Sequence, residues 1–295
     1  MKAYEKIVEK LIIVCAIVST ISVVLITVFI FREGLPILMN YGVIDFIFGT
    51  NWSPTNGNYG ILPLIAGTLA VTLGALIIGV PMGIASAIIL SEILPRKVAR
   101  VFKSAIELLA GIPSVVYGFF GLVVLVPAIR TFILPLAQLV VPKATTTGFS
   151  IFAGAIILAI MILPTIVSIS ENSIKAVPRE FREASLALGA NKMETIVLVI
   201  IPAAKSGIVA SIILGMGRAI GETMAVILIT GNMPKIPGGP LDSVATLTGT
   251  IAMEMGYADA THQQALFAVG IILFVIIMLL NAIAQISAHG LRGNN

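Results

Sequence analysis

Long uncharged stretches of apolar residues dominate this chain and constrain its fold more than any other feature. About 20 helical residues cross a hydrocarbon core about 30 Å thick. Because the runs are continuous and do not alternate with polar residues, they predict helices and not the strands of a barrel. The predicted fold class is therefore all-α, a polytopic membrane protein with six transmembrane helices. The runs are Leu11–Phe31, Ile61–Ser91, Leu108–Ile129, Ala144–Ser170, Ser206–Gly231 and Leu266–Ile286.

The composition agrees with a membrane protein and argues against several other kinds of protein and site. Of 295 residues, 58% are hydrophobic and 11% charged. The net charge of +4 is explained by the positions of the charges between the runs, so no nucleic-acid partner is predicted. The one cysteine, Cys15, lies inside the first run, which excludes an intrachain disulfide and a cysteine-based metal or redox site.

The first apolar run has two interpretations, a signal peptide and a retained span. A signal peptide has an apolar core of about 7–15 residues followed by a cleavage site with small residues. The run Leu11–Phe31 is longer and ends in bulky residues before Arg32. We therefore predict a retained first span.

The basic residues predict the orientation of the spans. Lys and Arg concentrate in the loops on the cytoplasmic side of a multi-pass protein. With the N-terminus inside, most of the 18 basic residues fall in inner segments, including 171–205. Those predicted outside are Arg32, Arg130, Lys143 and Lys235. The sequence predicts a cell-membrane protein with both termini cytoplasmic, outer loops at 32–60 and 232–264, and an interfacial or re-entrant piece at 131–142.

The inner segment 171–205 is too long and too charged for a simple turn between packed helices. Pro178 suits the first turn of a helix, which predicts a short helix over Arg179–Leu188, and Gly189 permits a sharp turn into a second one. We call residues 178–202 the knob, and expect it to dock a soluble partner. The charges of this region, on Arg179, Arg182 and Glu183, either pair across that interface or are solvated.

The knob resembles the cytoplasmic motif of the permease subunits of ABC importers. That motif reads Glu-Ala-Ala, three residues, Gly, nine residues, Ile, one residue, Leu-Pro. The matching positions here are Glu183, Ala184, Gly189 and Pro202, whereas Ser185, Val199 and Ile201 replace the second Ala, the Ile and the Leu. The resemblance implies that the knob inserts into ATPase subunits.

Three further stretches resemble the phosphate-specific ABC importer, and the third is closer to its PstC type than to its PstA type. They are 59–69 (YGILPLIAGTL), 110–118 (AGIPSVVYG) and 217–225 (GRAIGETMA). The resemblance implies a MetI-like permease core in the last five spans, with an added first span. It also implies an N-terminal helix and outer loop at 1–60 and a transmembrane domain at 61–290. The implied partners are a second, PstA-like permease, two ATP-binding subunits and an external phosphate-binding protein.

Arg218 and Glu222 interrupt the fifth apolar run. A charged side chain inside a span costs roughly 2.5–3.5 kcal/mol on insertion scales, which favours a role in a pathway or in pairing. At a spacing of four residues the two can pair on one helix. A guanidinium also suits a phosphate oxyanion, so we predict that both line the substrate pathway and that Glu222 prevents Arg218 from trapping the anion. A structural ion pair within the bundle is the alternative.

The chain lacks the Gly-x-x-x-x-Gly-Lys-Ser/Thr phosphate loop, so it is not predicted to be the ATPase or any other enzyme. ATP would be used by partner subunits, with no cofactor held here. No metal site is expected at His262 or His289. The predicted function is the permease of an ATP-driven phosphate importer. The alternatives are a permease for molybdate, tungstate, sulfate or phosphonate, or a secondary transporter.

Overall fold

A computed structural model describes the backbone of residues 2–135, 137 and 147–290. Within these residues, six helices are long and apolar enough to cross a membrane, which confirms the predicted all-α class. The part of the chain up to residue 133 comprises α1 (Lys2–Tyr41), α2 (Val43–Phe48), a two-stranded hairpin of β1 (Trp52–Ser53) and β2 (Asn58–Tyr59), α3 (Leu62–Ile93), α4 (Arg96–Ala110) and α5 (Ser114–Ile133). The remainder comprises α6 (Ile151–Lys175), α7 (Arg179–Ala187), α8 (Lys192–Ile220), α9 (Met224–Ile229), α10 (Leu247–Glu254) and α11 (Ala260–Gly290).

The helix α6 is the centre of the bundle. Buried residues make up 67% of its apolar window, against 28% or less in the other five spans. It packs along α3, and an added Cβ on Gly83 of α3 would lie 2.6 Å from Ile166. Ile162 and Ile166 are fully buried at this contact. The missing side chain at Gly83 therefore lets the two helices approach closely.

The first span packs against the last. Phe29 meets the ring of Phe267 edge to face at 5.5 Å, and Gly34 approaches the backbone of Ala268. The C-terminal part of α1 shares a buried apolar cluster with α11 and with Trp52 of the hairpin. The segment 1–60 is thus joined to the end of the chain by side-chain packing, and its division from 61–290 stays a prediction.

Two span predictions were wrong at their ends because of local chain breakers. The third span was predicted to begin at Leu108, but Leu108 belongs to α4, and the spanning helix α5 begins at Ser114 after Pro113. Pro113 disfavours a helical conformation at the preceding residue, which ends α4. The predicted span Ser206–Gly231 is instead α8, which begins at Lys192 and ends at Ile220 before Gly221.

The predicted loop 171–205 is mostly helical. Its first five residues form the last turn of α6, and its residues from Lys192 onward form the first turns of α8. The true connection between these spans is residues 176–191, which contain α7. The charged residues at both ends of 171–205 were assigned to a loop because of their charge. They instead form helical turns that extend the two spans beyond their apolar residues. Several predicted features lie outside the described residues: the part of 131–142 other than 131–135 and 137, the predicted span start at Ala144, the residues Lys143 and Arg292, and both chain ends.

Candidate functional site

The knob is built from α7 and the first turns of α8, joined by a tight turn. α7 begins at Arg179 after Pro178, as predicted. Gly189 has φ +93°, a left-handed conformation that L residues with a side chain rarely adopt, and nothing lies within 4 Å of the position of an added Cβ. Asn191 then begins α8 with a capping box, since its side chain accepts from Glu194 N at 2.9 Å and the Glu194 carboxylate accepts from Asn191 N at 2.7 Å.

The two helices of the knob are fastened by a hydrogen bond that the sequence did not predict. The hydroxyls of Ser185 and Thr195 lie 2.9 Å apart, and both residues are buried. Ser185 is the position at which the ABC permease motif has its second Ala. In this chain the added hydroxyl finds a partner on α8, because Gly189 folds the two helices back against each other.

Arg182 points inward and connects the knob to the ends of two spans. Its guanidinium forms a salt bridge of 2.8 Å with Glu92, at the end of α3. It also donates to the carbonyl oxygens of Ile174, at 2.9 Å, and of Val177. A cation at a helix C-terminus satisfies carbonyl groups that lack a partner within the helix, here those at the end of α6. Arg182 thus fixes α7 to α3 and α6, and its predicted contact with an ATPase remains untested.

Much of the knob's surface is exposed. Of the residues predicted to couple to an ATPase, Arg179, Glu183, Ala184, Gly189 and Pro202 are exposed. Large apolar side chains lie among them and are also exposed: Phe181, Leu186, Leu188 and Met193. Leu188 is 89% exposed. Exposed apolar side chains among charged residues, outside the membrane-spanning segments, are typical of a protein–protein contact.

Pro202 follows a widened, π-helical turn over Ile196–Ile200 of α8. Proline cannot donate the backbone hydrogen bond that a regular helix requires, and such a widened turn is a known way of accommodating an interruption. The knob therefore continues without a break into a transmembrane helix. Its movement would be transmitted directly to α8.

Arg218 and Glu222 do not lie on one helix, contrary to the prediction. Arg218 is exposed in the last turn of α8, and Glu222 follows Gly221, after the helix has ended. None of the ion pairs between described residues joins these two. The Glu222 carboxylate instead accepts from Ala225 N at 3.1 Å, and its carbonyl oxygen accepts from the Thr248 hydroxyl at 2.8 Å. Glu222 thereby anchors the start of α9.

Two of the three stretches that carry the resemblance, 110–118 and 217–225, come together in the structure. An added Cβ on Gly118 of α5 would lie 3.0 Å from Ala225 Cα of α9, so these backbones approach closely. The hydroxyl of Tyr117, the residue before Gly118, donates to the Leu109 carbonyl at 2.8 Å. The stretches 110–118 and 217–225 thus contact each other through α5 and α9. The sequence alone did not indicate this contact.

Apart from these residues, His262 has partners that the sequence did not reveal. His262 Nε2 lies 2.8 Å from the Glu254 carboxylate, which also accepts from the Trp52 indole at 3.1 Å. Nearby, burial raises the pKa of the Tyr59 hydroxyl above its usual value, and Asp259 contributes to that rise. This cluster ties the hairpin to α10 and α11. The side chain of His289 lies outside the described residues.

Comparisons with known proteins give a family and a set of relatives. The family model described as "Binding-protein-dependent transport system inner membrane component" matches residues 79–293. The chain is 42% identical over 268 residues to "Probable ABC transporter permease protein YqgH" of Bacillus subtilis, covering 89% of this chain and 84% of that protein. It is 38% identical over 251 residues to "Phosphate transport system permease protein PstC" of Mesorhizobium japonicum, covering 82% and 77%.

Solved structures resemble this chain in fold. The MetNI methionine ABC transporter in an inward-facing form gives a TM-score of 0.59 at 18% identity, covering 82% of this chain and 99% of the matched chain. A bacterial ABC transporter that imports the acidic polysaccharide alginate gives 0.57 at 14% identity, covering 90% and 95%. At these identities the likeness concerns the fold alone, and it agrees with the MetI-like core.

Proposed function

The chain belongs to the family of binding-protein-dependent transport system inner membrane components, and we propose that it is the permease subunit of an ATP-driven phosphate importer. As a member with six apolar helices it is a multi-pass membrane protein and a transport component. The observation that carries the permease function is the knob, with its exposed apolar surface continuous with α8. Phosphate as the substrate is supported by relatives named phosphate permeases at 34–38% identity.

Other oxyanions are the alternative substrates. The relative at 42% identity is named a probable ABC transporter permease, without a substrate. A guanidinium alone does not separate phosphate from molybdate, tungstate, sulfate or phosphonate, since all present anionic oxygens. The phosphate assignment therefore depends on the named relatives, and transport competition between these anions tests it.

The knob would couple this chain to ATP hydrolysis on separate subunits. The apolar side chains of Phe181, Leu186 and Leu188 would fill a groove of an ATPase, and Arg179 and Glu183 would pair at its rim. Because α7 is fixed to α3 and α6 through Arg182, and is continuous with α8 after the turn, a push on the knob reaches three spans together. The complete importer would contain two ATP-binding subunits, a PstA-like permease and an external phosphate-binding protein.

Arg218 would face the translocation path. It is exposed on this chain although it lies in a spanning helix, and an exposed charge in lipid is costly. A second permease or a water-filled path shared with it removes that cost. Glu222 would limit how strongly Arg218 holds the anion, acting across the break at Gly221 and not as a neighbour on the same helix.

The proposed orientation places the knob and both termini in the cytoplasm. The basic residues of α4 and of the knob lie on that side, which agrees with the positive-inside rule. The cluster around Trp52, Glu254 and His262 would then face outward, where the binding protein docks.

The function can be tested by ATP-dependent uptake of radiolabelled phosphate in vesicles that contain the chain with its partner subunits. Glu183→Lys should abolish uptake and ATPase binding, whereas Glu180→Lys on the same helix should retain both. Arg218→Gln should lose uptake with ATPase binding intact, and Lys205→Gln on the same helix should retain uptake.

Three outcomes would contradict parts of the proposal. Phosphate uptake by Arg218→Gln at the parent rate would show that Arg218 does not act in the pathway. Preferential uptake of another oxyanion would reassign the substrate. Uptake that persists without any ATPase would identify a secondary transporter.

A further inference from the structure

A cavity of about 500 Å³ lies at the knob end of the bundle, between the end of α3, the first turns of α4 and the last turn of α6. Its size falls within the range of about 300–1,000 Å³ that small-ligand pockets occupy. Arg96, Arg100 and Lys103 of α4 line it from one face, since spacings of four and three residues place side chains on the same side of a helix. Lys175 lines it from α6.

The positive charge of this cavity is only partly neutralised within the chain. Glu171 is the lining carboxylate, it is 1% exposed, and it pairs with Lys175 and, at 2.9 Å, with Lys103. The other nearby acid, Glu107, lies 4.0 Å from Lys103 and is outside the lining. Among the ion pairs of the described residues, none includes Arg96 or Arg100. Among the described residues, two permanent cations therefore line the cavity without an ion pair of their own.

The position of Arg96 on its helix also favours an anion site. The first turn of a helix carries a partial positive charge and normally attracts acidic residues. α4 has no acidic residue in its first turn and instead begins with Arg96 and Lys97. An anion at this end would be favoured by the backbone N–H groups and by the guanidinium together.

The other face of α4 is apolar and exposed, with Val98, Val101 and Phe102 on it. A helix with one basic and one apolar face is typical of a segment lying at a membrane interface. Under the proposed orientation this end faces the cytoplasm. Basic pockets between transmembrane helices on that side bind anionic lipid headgroups.

We propose that this basic cavity, lined by Arg96, Arg100, Lys103 and Lys175, binds a phosphoryl oxyanion. The anion is presented by the headgroup of an anionic phospholipid or is free inorganic phosphate. Arg96 and Arg100 supply the planar donor forks that match phosphoryl oxygens. The site is distinct from Arg218 and does not depend on which substrate the importer carries.

An anion bound in the basic cavity would lie close to the knob. An adjoining cavity of about 480 Å³ shares Arg96 and Lys175 with it, and is lined on its far side by Arg179, Arg182 and Glu183. An anion between Arg96 and Arg100 therefore lies next to the surface through which α7 is fixed.

The test uses the full chain in nanodiscs of phosphatidylcholine with phosphatidylglycerol. Native mass spectrometry after partial delipidation counts the retained phosphatidylglycerol, and equilibrium dialysis in neutral lipid measures binding of radiolabelled inorganic phosphate. The variant is Arg96→Gln with Arg100→Gln. Lys97→Gln is the matched control, because Lys97 is exposed on the same turn and does not line the cavity.

We expect the parent and Lys97→Gln to bind one of the two probes, and the double variant to bind it about 10-fold or more weakly, since two charged hydrogen-bond donors are lost. Retained phosphatidylglycerol identifies a lipid site, and bound inorganic phosphate identifies a free-anion site. The conservative variant Arg96→Lys with Arg100→Lys should recover part of the binding, which separates loss of charge from misfolding. Absence of both probes from the parent, or equal weakening by Lys97→Gln, would overturn the proposal.

Discussion

Two arginines, Arg182 of the knob and Arg218 at the end of α8, differ in whether their guanidinium groups have partners within the chain. At the knob, Arg182 bonds to Glu92 and to backbone carbonyls of the same chain. At the break, Arg218 is exposed, and no ion pair of the described residues includes it. The first region is complete within this polypeptide. We propose that the second is completed by a neighbouring chain or a ligand.

Under the proposed function, this contrast separates the region that would transmit force from the region that would contact the transported molecule. A coupling element must be rigid on the side that joins the spans, and Arg182 with the Ser185–Thr195 hydrogen bond provides that rigidity. A pathway residue must remain available. The difference predicts that substitution of Arg182, Ser185 or Thr195 changes stability, whereas substitution of Arg218 changes transport.

The largest stability effect is expected for Arg182→Ala. It leaves Glu92 without its partner and removes the cation from the end of α6, which should cost about 2–3 kcal/mol for a partly buried pair. Denaturant titration in detergent micelles measures this cost. Arg179→Ala is the control on the same helix, since Arg179 is exposed, and it should change stability by less than about 0.5 kcal/mol. Equal effects of the two substitutions would contradict the distinction between the paired Arg182 and the exposed Arg179.

A smaller effect is expected for Gly189→Ala. Its left-handed φ of +93° should cost about 1–2 kcal/mol with a Cβ present, although no atom obstructs the methyl group. Gly256→Ala serves as the control, because that glycine also has open space around it and is not among the residues with positive φ. Faster proteolysis of the knob in Gly189→Ala, with none in Gly256→Ala, would support a backbone cause. Unchanged proteolysis and stability would show that the turn tolerates other conformations.

Ser185→Ala should cost about 1 kcal/mol, because the Thr195 hydroxyl then loses its partner in a buried setting. Thr195→Val should cost a similar amount alone. The double variant removes both hydroxyls together, so its cost should be clearly less than the sum of the two single costs. A double-mutant cycle of unfolding free energies tests this coupling, and strict additivity would show that the hydrogen bond contributes nothing.

The smallest stability effect is expected for Arg218→Gln, within about 0.5 kcal/mol of the parent in detergent, because no partner in the chain is lost. Its transport should nevertheless fall sharply in the assembled importer. The same denaturant titration and the phosphate uptake assay check the two statements separately. A large loss of stability would place Arg218 in an internal structural contact.

Several features of the site were readable from the sequence because they depend on neighbouring residues. Pro178 and Gly189 fix the ends of α7 through their own backbone restrictions, so the short helix and its turn were predicted correctly. The partners of Arg182 were not readable, since Glu92 lies 90 residues away in the chain. The Arg218–Glu222 pair was misjudged because Gly221 ends the helix between them.

The sequence by itself determined the class of this protein, the number of its spans and the presence of the knob. These follow from the length of apolar runs, which must match a bilayer, and from proline and glycine acting within a few residues. Only the tertiary structure decided where the spans end, which charges are paired, that the stretches 110–118 and 217–225 meet, and that Arg96 and Arg100 face a cavity. Each of these depends on packing between residues distant in sequence, and such contacts leave no local pattern in the chain.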